Sequence, residues 1–265
     1  MIDDALLRSA VAQLAKAGIS NAGDDVRRID RFVQETCDTD NHEITFLQAI
    51  KARAQRQPVA QITGRRAFWK FDFHVTSDTL DPRPESELLV ELATPHNPAR
   101  VLELGTGTGA VLLSILSEVT SATGVGSDIS PAALGVAKIN ATEIAVLDRL
   151  SLVQSDWFDS VSGEFDVIVC NPPYIPAAQI AGLEPEVKDW EPILALSPGP
   201  SGLESYIQLS ANLERHLTAD GRAYFEFGEG QRDRVSDVFA SAGLKVCAIH
   251  KDLSGKDRVV EVAKD

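Results

Sequence analysis

Four consecutive residues, Asn171-Pro172-Pro173-Tyr174, follow the apolar run Phe165-Asp166-Val167-Ile168-Val169-Cys170, which reads as a buried strand. They place an amide, a bare carbonyl and a ring at the carboxyl edge of a sheet, where open α/β sheets bind ligands. The Asn171 side-chain oxygen and the Pro172 carbonyl are both acceptors, so together they can hold the two hydrogens of an NH2 group. Neither proline can donate. Two in succession also stiffen the backbone, so the acceptors are set before a substrate arrives. The Tyr174 ring can stack on the flat face of an amide or a base and fix the plane from which its nitrogen attacks. The chemistry such a set suits is alkylation of a planar nitrogen. The plainer alternative is a Pro-rich turn after a strand; the preceding Asn, the following Tyr and the strand ahead favour the first.

A second candidate set lies upstream. Arg100-Val101-Leu102-Glu103-Leu104-Gly105-Thr106-Gly107-Thr108-Gly109, followed by apolar-periodic Ala110 to Leu116, reads as strand, glycine-rich turn and helix. Glycine at every second position lets the backbone approach a ligand and aims the free N–H groups of the helix at it. After a further strand comes Asp128, about 20 residues past the turn, where nucleotide-binding folds place the acid that accepts ribose hydroxyls. The alternative role for Asp128 is a helix N-cap, since Ser130-Pro131 opens the next helix. Gly105, Gly107 and Ala110 also satisfy the looser dinucleotide fingerprint, so the turn alone does not separate a nicotinamide cofactor from an adenosyl one.

The combination of Glu103-x-Gly105-x-Gly107-x-Gly109, Asp128 and Asn171 to Tyr174 resembles class I S-adenosylmethionine-dependent methyltransferases that modify amino or amide nitrogens. A closer similarity runs along almost the whole chain. Gln57 to Gly64 with Phe68-Trp69, Asp81-Pro82-Arg83-Pro84-Glu85-Ser86-Glu87, Asp128-Ile129-Ser130-Pro131, Asp156-Trp157-Phe158, Glu191-Pro192 and Gly255-x-Asp257-Arg258 resemble the HemK/PrmC family, protein-(glutamine-N5) methyltransferases acting on peptide chain release factors. The resemblance implies S-adenosylmethionine as cofactor, converted to S-adenosylhomocysteine. It assigns cofactor contacts to Glu103, Gly105, Thr106, Gly107, Thr108, Gly109, Asp128, Ile129, Asp156, Trp157 and Asn171. A glutamine of a Gly-Gly-Gln loop would be received by Asn171, Pro172, Pro173 and Tyr174 with Arg83, and Asn171, Pro172 and Tyr174 would be catalytic. The chain departs from the family at Ser197-Pro198-Gly199-Pro200-Ser201-Gly202, where a glycine pair and an acidic residue are more usual.

Charge bears on the substrate. The chain carries a net charge of −14. Residues 1–97 hold 12 Lys+Arg against 15 Asp+Glu, while residues 98–265 hold 13 against 24. So acidic a catalytic part repels a phosphate backbone, which disfavours the main rival, amino methylation of a nucleic-acid base such as adenine N6, and predicts no stable DNA binding. A third possibility, a binding module that retains the fold without turnover, is disfavoured by the intact tetrapeptide. A local basic cluster, Arg53, Arg56, Arg65 and Arg66, either meets an acidic face of a partner or is a set of solvated arginines near a helix end. Cys37, Cys170 and Cys247 are widely spaced and lie mostly in apolar runs, so buried free thiols are expected. The five histidines never fall at ligand spacing, so no metal is expected. No apolar run approaches a membrane span and no signal peptide is legible, which predicts a cytoplasmic protein. Nothing in the pattern demands a dimer, so a monomer is expected.

The elements that must position these residues follow from periodicity. Residues 3–17, 22–37 and 42–56 show helical spacing, with Asn21 and Asn41 as caps, and predict an N-terminal helical bundle over 1–62 that recognises the substrate protein. Alternating Phe71, Phe73 and Val75 predict a β-hairpin linker within 63–82, and Pro82-Arg83-Pro84 leads into a helix near Glu85. Over 83–265, strands near 100–104, 122–127, 150–154, 165–170, 221–227, 244–250 and 258–262 alternate with helices. This predicts an α/β fold with a seven-stranded, mostly parallel, doubly wound sheet closed by a hairpin, the Rossmann-like class I arrangement that the resemblance also implies. Residues 175–200 lack clean periodicity and are expected to form a lid.

Overall fold

Val26, Ile29 and Val33 recur at helical spacing, and all three are buried in the computed structural model, which describes residues 2–265. Met1, the first residue of the expected helical domain, lies outside the described residues. Helices α1 (Asp4–Lys16), α2 (Ala22–Thr36), α3 (His42–Ala54) and α4 (Val59–Thr63) share a core that includes Leu14, Val26, Ile29, Phe46 and Ile50. Asp3 caps α1, its carboxylate accepting from the Ala5 and Leu6 amides. Asn21 and Asn41 stand at the N-cap positions of α2 and α3, but neither side chain bonds the helix it precedes. At α2 the Asn21 carbonyl instead accepts from Asp24 and Asp25.

The chain divides into two units: Met1–Arg65 with Glu184–Trp190, and Arg66–Leu183 with Glu191–Asp265. In the first, Arg53 is buried and donates to Asp25 Oδ2 at 2.7 Å and to Glu186 Oε1 at 2.9 Å. Arg56 donates to Glu186 Oε2 at 2.6 Å and to Glu184 Oε2 at 3.2 Å, and Gln61 Nε2 to the Trp190 carbonyl at 2.9 Å. For Arg53 and Arg56 this corrects both readings of the basic cluster. The two guanidiniums are neither solvated nor free for a partner; they hold Glu184–Trp190 in the unit, because a buried cation needs paired carboxylates.

The second unit begins inside a two-stranded sheet, β1 (Arg65–Phe68, entered at Arg66) and β2 (Phe71–His74). Pro84–Ser86 forms a 3-10 turn, and α5 (Glu87–Ala93) starts just after the expected position. There follow β3 (Arg100–Leu104), α6 (Ala110–Glu118), β4 (Thr123–Asp128), α7 (Pro131–Glu143), β5 (Leu150–Gln154) and β6 (Phe165–Cys170). The expected lid, 175–200, holds three short helical pieces: a 3-10 stretch Ala177–Gly182, α8 (Pro185–Lys188, in the first unit) and α9 (Ile193–Leu196). Each opens at a proline, Pro176, Pro185 or Pro192, and each is too short to show a period in sequence. The chain ends with α10 (Glu204–Leu213), β7 (Leu217–Glu226), α11 (Arg232–Ser241), β8 (Leu244–Lys251) and β9 (Asp257–Lys264).

The seven strands run in the order β5-β4-β3-β6-β7-β9-β8, parallel from β5 to β7 and antiparallel at β9 and β8. Both faces are buried, with strand residues alternating between two cores. Val101, Val167, Val169, Tyr224 and Val259 pack with α5 and α6; Leu102, Ile168, Cys170, Phe225 and Val260 pack with α10 and α11. Among the expected buried thiols only Cys170 is buried; Cys37 is half-buried and Cys247, whose neighbours on β8 are mostly half-exposed, is exposed. Among the described residues no helix is long and apolar enough to cross a membrane.

Candidate functional site

Between Leu104 and Ala110 the backbone takes left-handed values at Gly105 (φ +67°), Gly107 (φ +53°) and Gly109 (φ +80°), a turn closed to ordinary side chains. At Gly107 a Cβ would meet nothing within 4 Å, so its backbone lies open; at Gly109 a Cβ would sit 3.0 Å from Leu113 Cδ1, so that glycine serves helix packing. Two carboxylates hold the turn. Glu103 Oε2 accepts from Thr106 Oγ1 and, at 3.3 Å, from the Leu112 amide; Asp128 Oδ2 accepts from the Gly107 amide at 2.8 Å. Asp128 Oδ1 accepts from the Ser130 amide at 2.9 Å. The N-cap role falls to Ser130, whose hydroxyl accepts from Ala133 N, so Asp128 is not the cap.

Burial pushes Glu103 up to about 8, against the hydrogen bonds from Thr106 and Leu112. The folded carboxyl thus keeps its proton across an interval, from near 4.5 to about 8, where the unfolded one has lost it. The Glu103 contribution to stability is complete below that interval and is lost as pH rises through it. Glu103→Gln keeps an acceptor and cannot titrate. Its urea midpoint relative to the parent is expected to rise steadily between pH 5 and 8; a difference independent of pH would refute the assignment.

Asn171 leaves β6 at the carboxyl edge, and its tetrapeptide is braced from three sides. Asn171 Nδ2 donates to Ser86 Oγ at 3.0 Å, Ser205 Oγ to the Pro173 carbonyl at 3.0 Å, and Gln231 Nε2 to the Tyr174 carbonyl at 2.9 Å. Among the described residues nothing donates to the Pro172 carbonyl. Tyr174 packs against the core on the α10 and α11 face, where Gly228 leaves room for it: a Cβ there would lie 2.9 Å from its ring. Burial pushes the Tyr174 phenol up to about 12.

Turn and tetrapeptide open onto one cavity of ≈ 420 Å³. Its walls bring together Glu103, Gly105, Thr106, Gly107, Thr108, Asp128, Ile129, Asp156, Trp157, Asn171, Pro173 and Arg83. They do not include Gly109, Pro172 or Tyr174; Pro172 is buried, and Tyr174 is half-buried against the core. Trp157 holds a left-handed backbone (φ +45°), rare for a bulky residue, and donates Nε1 to Gln208 Oε1 at 2.8 Å. The Arg83 guanidinium is engaged at 2.6 Å by Glu191, whose carboxyl burial pushes up to about 7 despite that cation.

Sequence reasoning gave no site role to Ser86, Glu191, Gln208 or Glu226, although Ser86 and Glu191 stand in the stretches that carry the resemblance. Glu226 had a signal: like Glu103, it is an acidic residue directly after an apolar run, Ala223-Tyr224-Phe225, at the carboxyl end of its strand. Besides the protonated Glu103, the walls carry five acidic side chains among the described residues, Asp78, Asp81, Asp128, Asp156 and Glu204, against one cation, Arg83. That field suits a positively charged ligand and opposes a pyrophosphate.

The family model described as "Methyltransferase small domain" matches residues 76–182. A release factor glutamine methyltransferase of Cereibacter sphaeroides is 45% identical over 265 residues, covering 96% of this chain and 95% of the relative. One of Agrobacterium fabrum is 40% identical over 230 residues, covering 84% of this chain and 80% of the relative. Among solved structures, a methyltransferase from Pyrococcus furiosus superposes with a TM-score of 0.56 at 17% identity, covering 84% of this chain and 97% of that one. At that identity the likeness bears on the fold, a Rossmann-like methyltransferase sheet.

Proposed function

The chain belongs to the release factor glutamine methyltransferases, and we propose that it transfers a methyl group from S-adenosylmethionine to the side-chain amide nitrogen (N5) of the Gly-Gly-Gln glutamine of peptide chain release factors. The observation that carries this reading is the convergence of the open glycine turn, Asp128 and Asn171 on one acid-rich cavity. When bound, the cofactor supplies an electrophilic sulfonium methyl. The cavity's five acidic side chains other than Glu103 suit that cation, and Asp128 keeps lone pairs on both oxygens for a ribose diol beside the sterically open Gly107. Ile129, half exposed at 50%, and the Trp157 indole offer apolar surface for an adenine.

Asn171 Oδ1, on the cavity wall, accepts one hydrogen of the glutamine NH2, and the second is assigned to the Pro172 carbonyl next to it, whose residue does not itself line the cavity. A carboxamide nitrogen is a poor nucleophile because its lone pair is shared with the carbonyl; acceptors on its hydrogens return density to it and offset the charge that develops. As the nitrogen–carbon bond forms, the carbon–sulfur bond breaks, the sulfonium becomes a thioether and one N–H proton leaves to water. Tyr174, half-buried against the core, stiffens the tetrapeptide, and Arg83 is assigned to the substrate side of the cavity. The N-terminal helices, with Ile44 and Leu47 exposed on α3, are assigned to recognition of the release factor. The enzyme acts as a monomer in the cytoplasm, where translation ends.

The test is transfer of labelled methyl to purified release factor, beside a factor whose Gly-Gly-Gln glutamine is changed and beside bulk DNA. Label on the intact factor alone is expected. Label on DNA, or none despite cofactor binding, would overturn the reading.

A further inference from the structure

β6 and β7 run parallel with Cys170 opposite Phe225, so the next residues, Asn171 and Glu226, reach the carboxyl edge side by side. Ser86, closing the 3-10 turn Pro84–Ser86, places its hydroxyl between them: Asn171 Nδ2 donates to Ser86 Oγ at 3.0 Å, and Ser86 Oγ donates to Glu226 Oε2 at 2.6 Å. Ser86 and Glu226 are 4% and 2% exposed, so water does not compete for these bonds.

We propose that Ser86 and Glu226 are positioning residues for methyl transfer, a relay whose proton direction locks the Asn171 amide with its oxygen toward the substrate. The proposal rests on the role given to Asn171 above. A serine hydroxyl has one proton, and an ionised carboxylate can only accept. With that proton committed to Glu226, Ser86 offers Asn171 nothing but lone pairs, so the amide nitrogen must face Ser86 and Oδ1 must face away. An inverted amide would set two acceptors against each other at Ser86 and present NH2 to the substrate's NH2.

The lock weakens when Glu226 is protonated, because a neutral carboxyl can donate to Ser86 and free the serine proton for Asn171 Oδ1. Burial pushes Glu226 up to about 7, with Ser86, Arg258 of β9 and Arg83 opposing and Glu85 assisting. Tyr174 and Cys170 flank it from the tetrapeptide and β6, and Tyr206 of α10 donates its hydroxyl to the Glu226 carbonyl at 2.8 Å. The turnover number should therefore fall as pH drops through about 7.

The experiment compares the parent, Ser86→Ala, Ser86→Thr and Glu226→Gln by steady-state methylation of release factor from pH 6 to 9, and by NMR exchange of the Asn171 side-chain amide without substrate. Ser86→Ala is expected to lower kcat by about tenfold or more, the loss of one orienting hydrogen bond. Its KM for release factor and its cofactor Kd stay within about twofold, and Asn171 amide exchange quickens. Ser86→Thr restores slow exchange and most of kcat. Glu226→Gln lowers kcat at pH 8 and loses the acid limb, and adding it to Ser86→Ala costs nothing further. Parent kcat in Ser86→Ala with unchanged exchange, or an intact acid limb in Glu226→Gln, would overturn the relay. Slow Asn171 exchange in a parent that labels no release factor would instead sink the proposed reaction and leave the relay's geometry standing.

Discussion

Asn171→Ala is expected to lower turnover by at least ~100-fold while changing the cofactor Kd by less than about threefold. The asymmetry follows from where Asn171 stands. Its Nδ2 is committed to Ser86 and the residue lines the cavity, so Oδ1 is the acceptor left for a substrate, and the bond it would make strengthens as charge develops on the attacking nitrogen. An interaction stronger in the transition state than in the ground state appears in kcat, not in binding. The remaining acceptor, the Pro172 carbonyl, can hold one hydrogen but cannot fix the amide plane alone. Cofactor affinity is assigned elsewhere in the proposed site, to the turn that Glu103 and Asp128 hold. The measurement is single-turnover methylation with saturating release factor, beside calorimetric titration of S-adenosylhomocysteine. Turnover near the parent's would remove Asn171 from the chemistry.

The parts of the fold and site that were legible in the sequence are those written locally. A glycine at every second position states its own turn, and a polar-Pro-Pro-aromatic step after an apolar run states the end of a strand at a sheet edge. The strand segments stood out because a sheet buried on both faces leaves near-continuous Val, Ile and Leu, as in Val101 to Leu104 and Val167 to Val169. What was not legible depends on pairs far apart in the chain. Ser86 meets Asn171 and Glu226 across 85 and 140 residues, and only the order β3-β6-β7 brings them together. Arg53 and Arg56 read as surface charges because their partners, Glu184 and Glu186, lie some 130 residues on, in a segment that joins the helical unit. Tyr174 was legible as a flat ring beside the tetrapeptide but not in its seat: the gap at Gly228 and the apolar residues around it hold the ring half-buried against the core.

Asp128→Ala carries the opposite signature: the Kd for S-adenosylhomocysteine is expected to rise by ~100-fold, with a smaller change in kcat at saturating cofactor. Asp128 has two duties at one point. It accepts from the Gly107 and Ser130 amides, which ties the glycine turn to the end of β4, and its remaining lone pairs face the cavity where a ribose diol would lie. Truncation removes the charged acceptor and leaves Gly107 N–H without its partner. At about 1.5–3 kcal/mol for a hydrogen bond to a charged group, one such loss on the ligand and part of another in the turn amount to roughly 3 kcal/mol, or about two decades in Kd. Burial raises the Asp128 carboxyl from its ordinary value, while three backbone donors, from Ser130, Gly107 and Ile129, hold it down; the cation it would neighbour acts in the same direction as those donors. Asp128→Asn separates the two duties. Its single oxygen can serve either the turn or the diol, and its NH2 faces a backbone N–H at the other place, so an intermediate loss of affinity is expected. A Kd for Asp128→Ala within about threefold of the parent's would mean that the carboxylate only braces the turn and that the diol is held by other residues of the cavity wall.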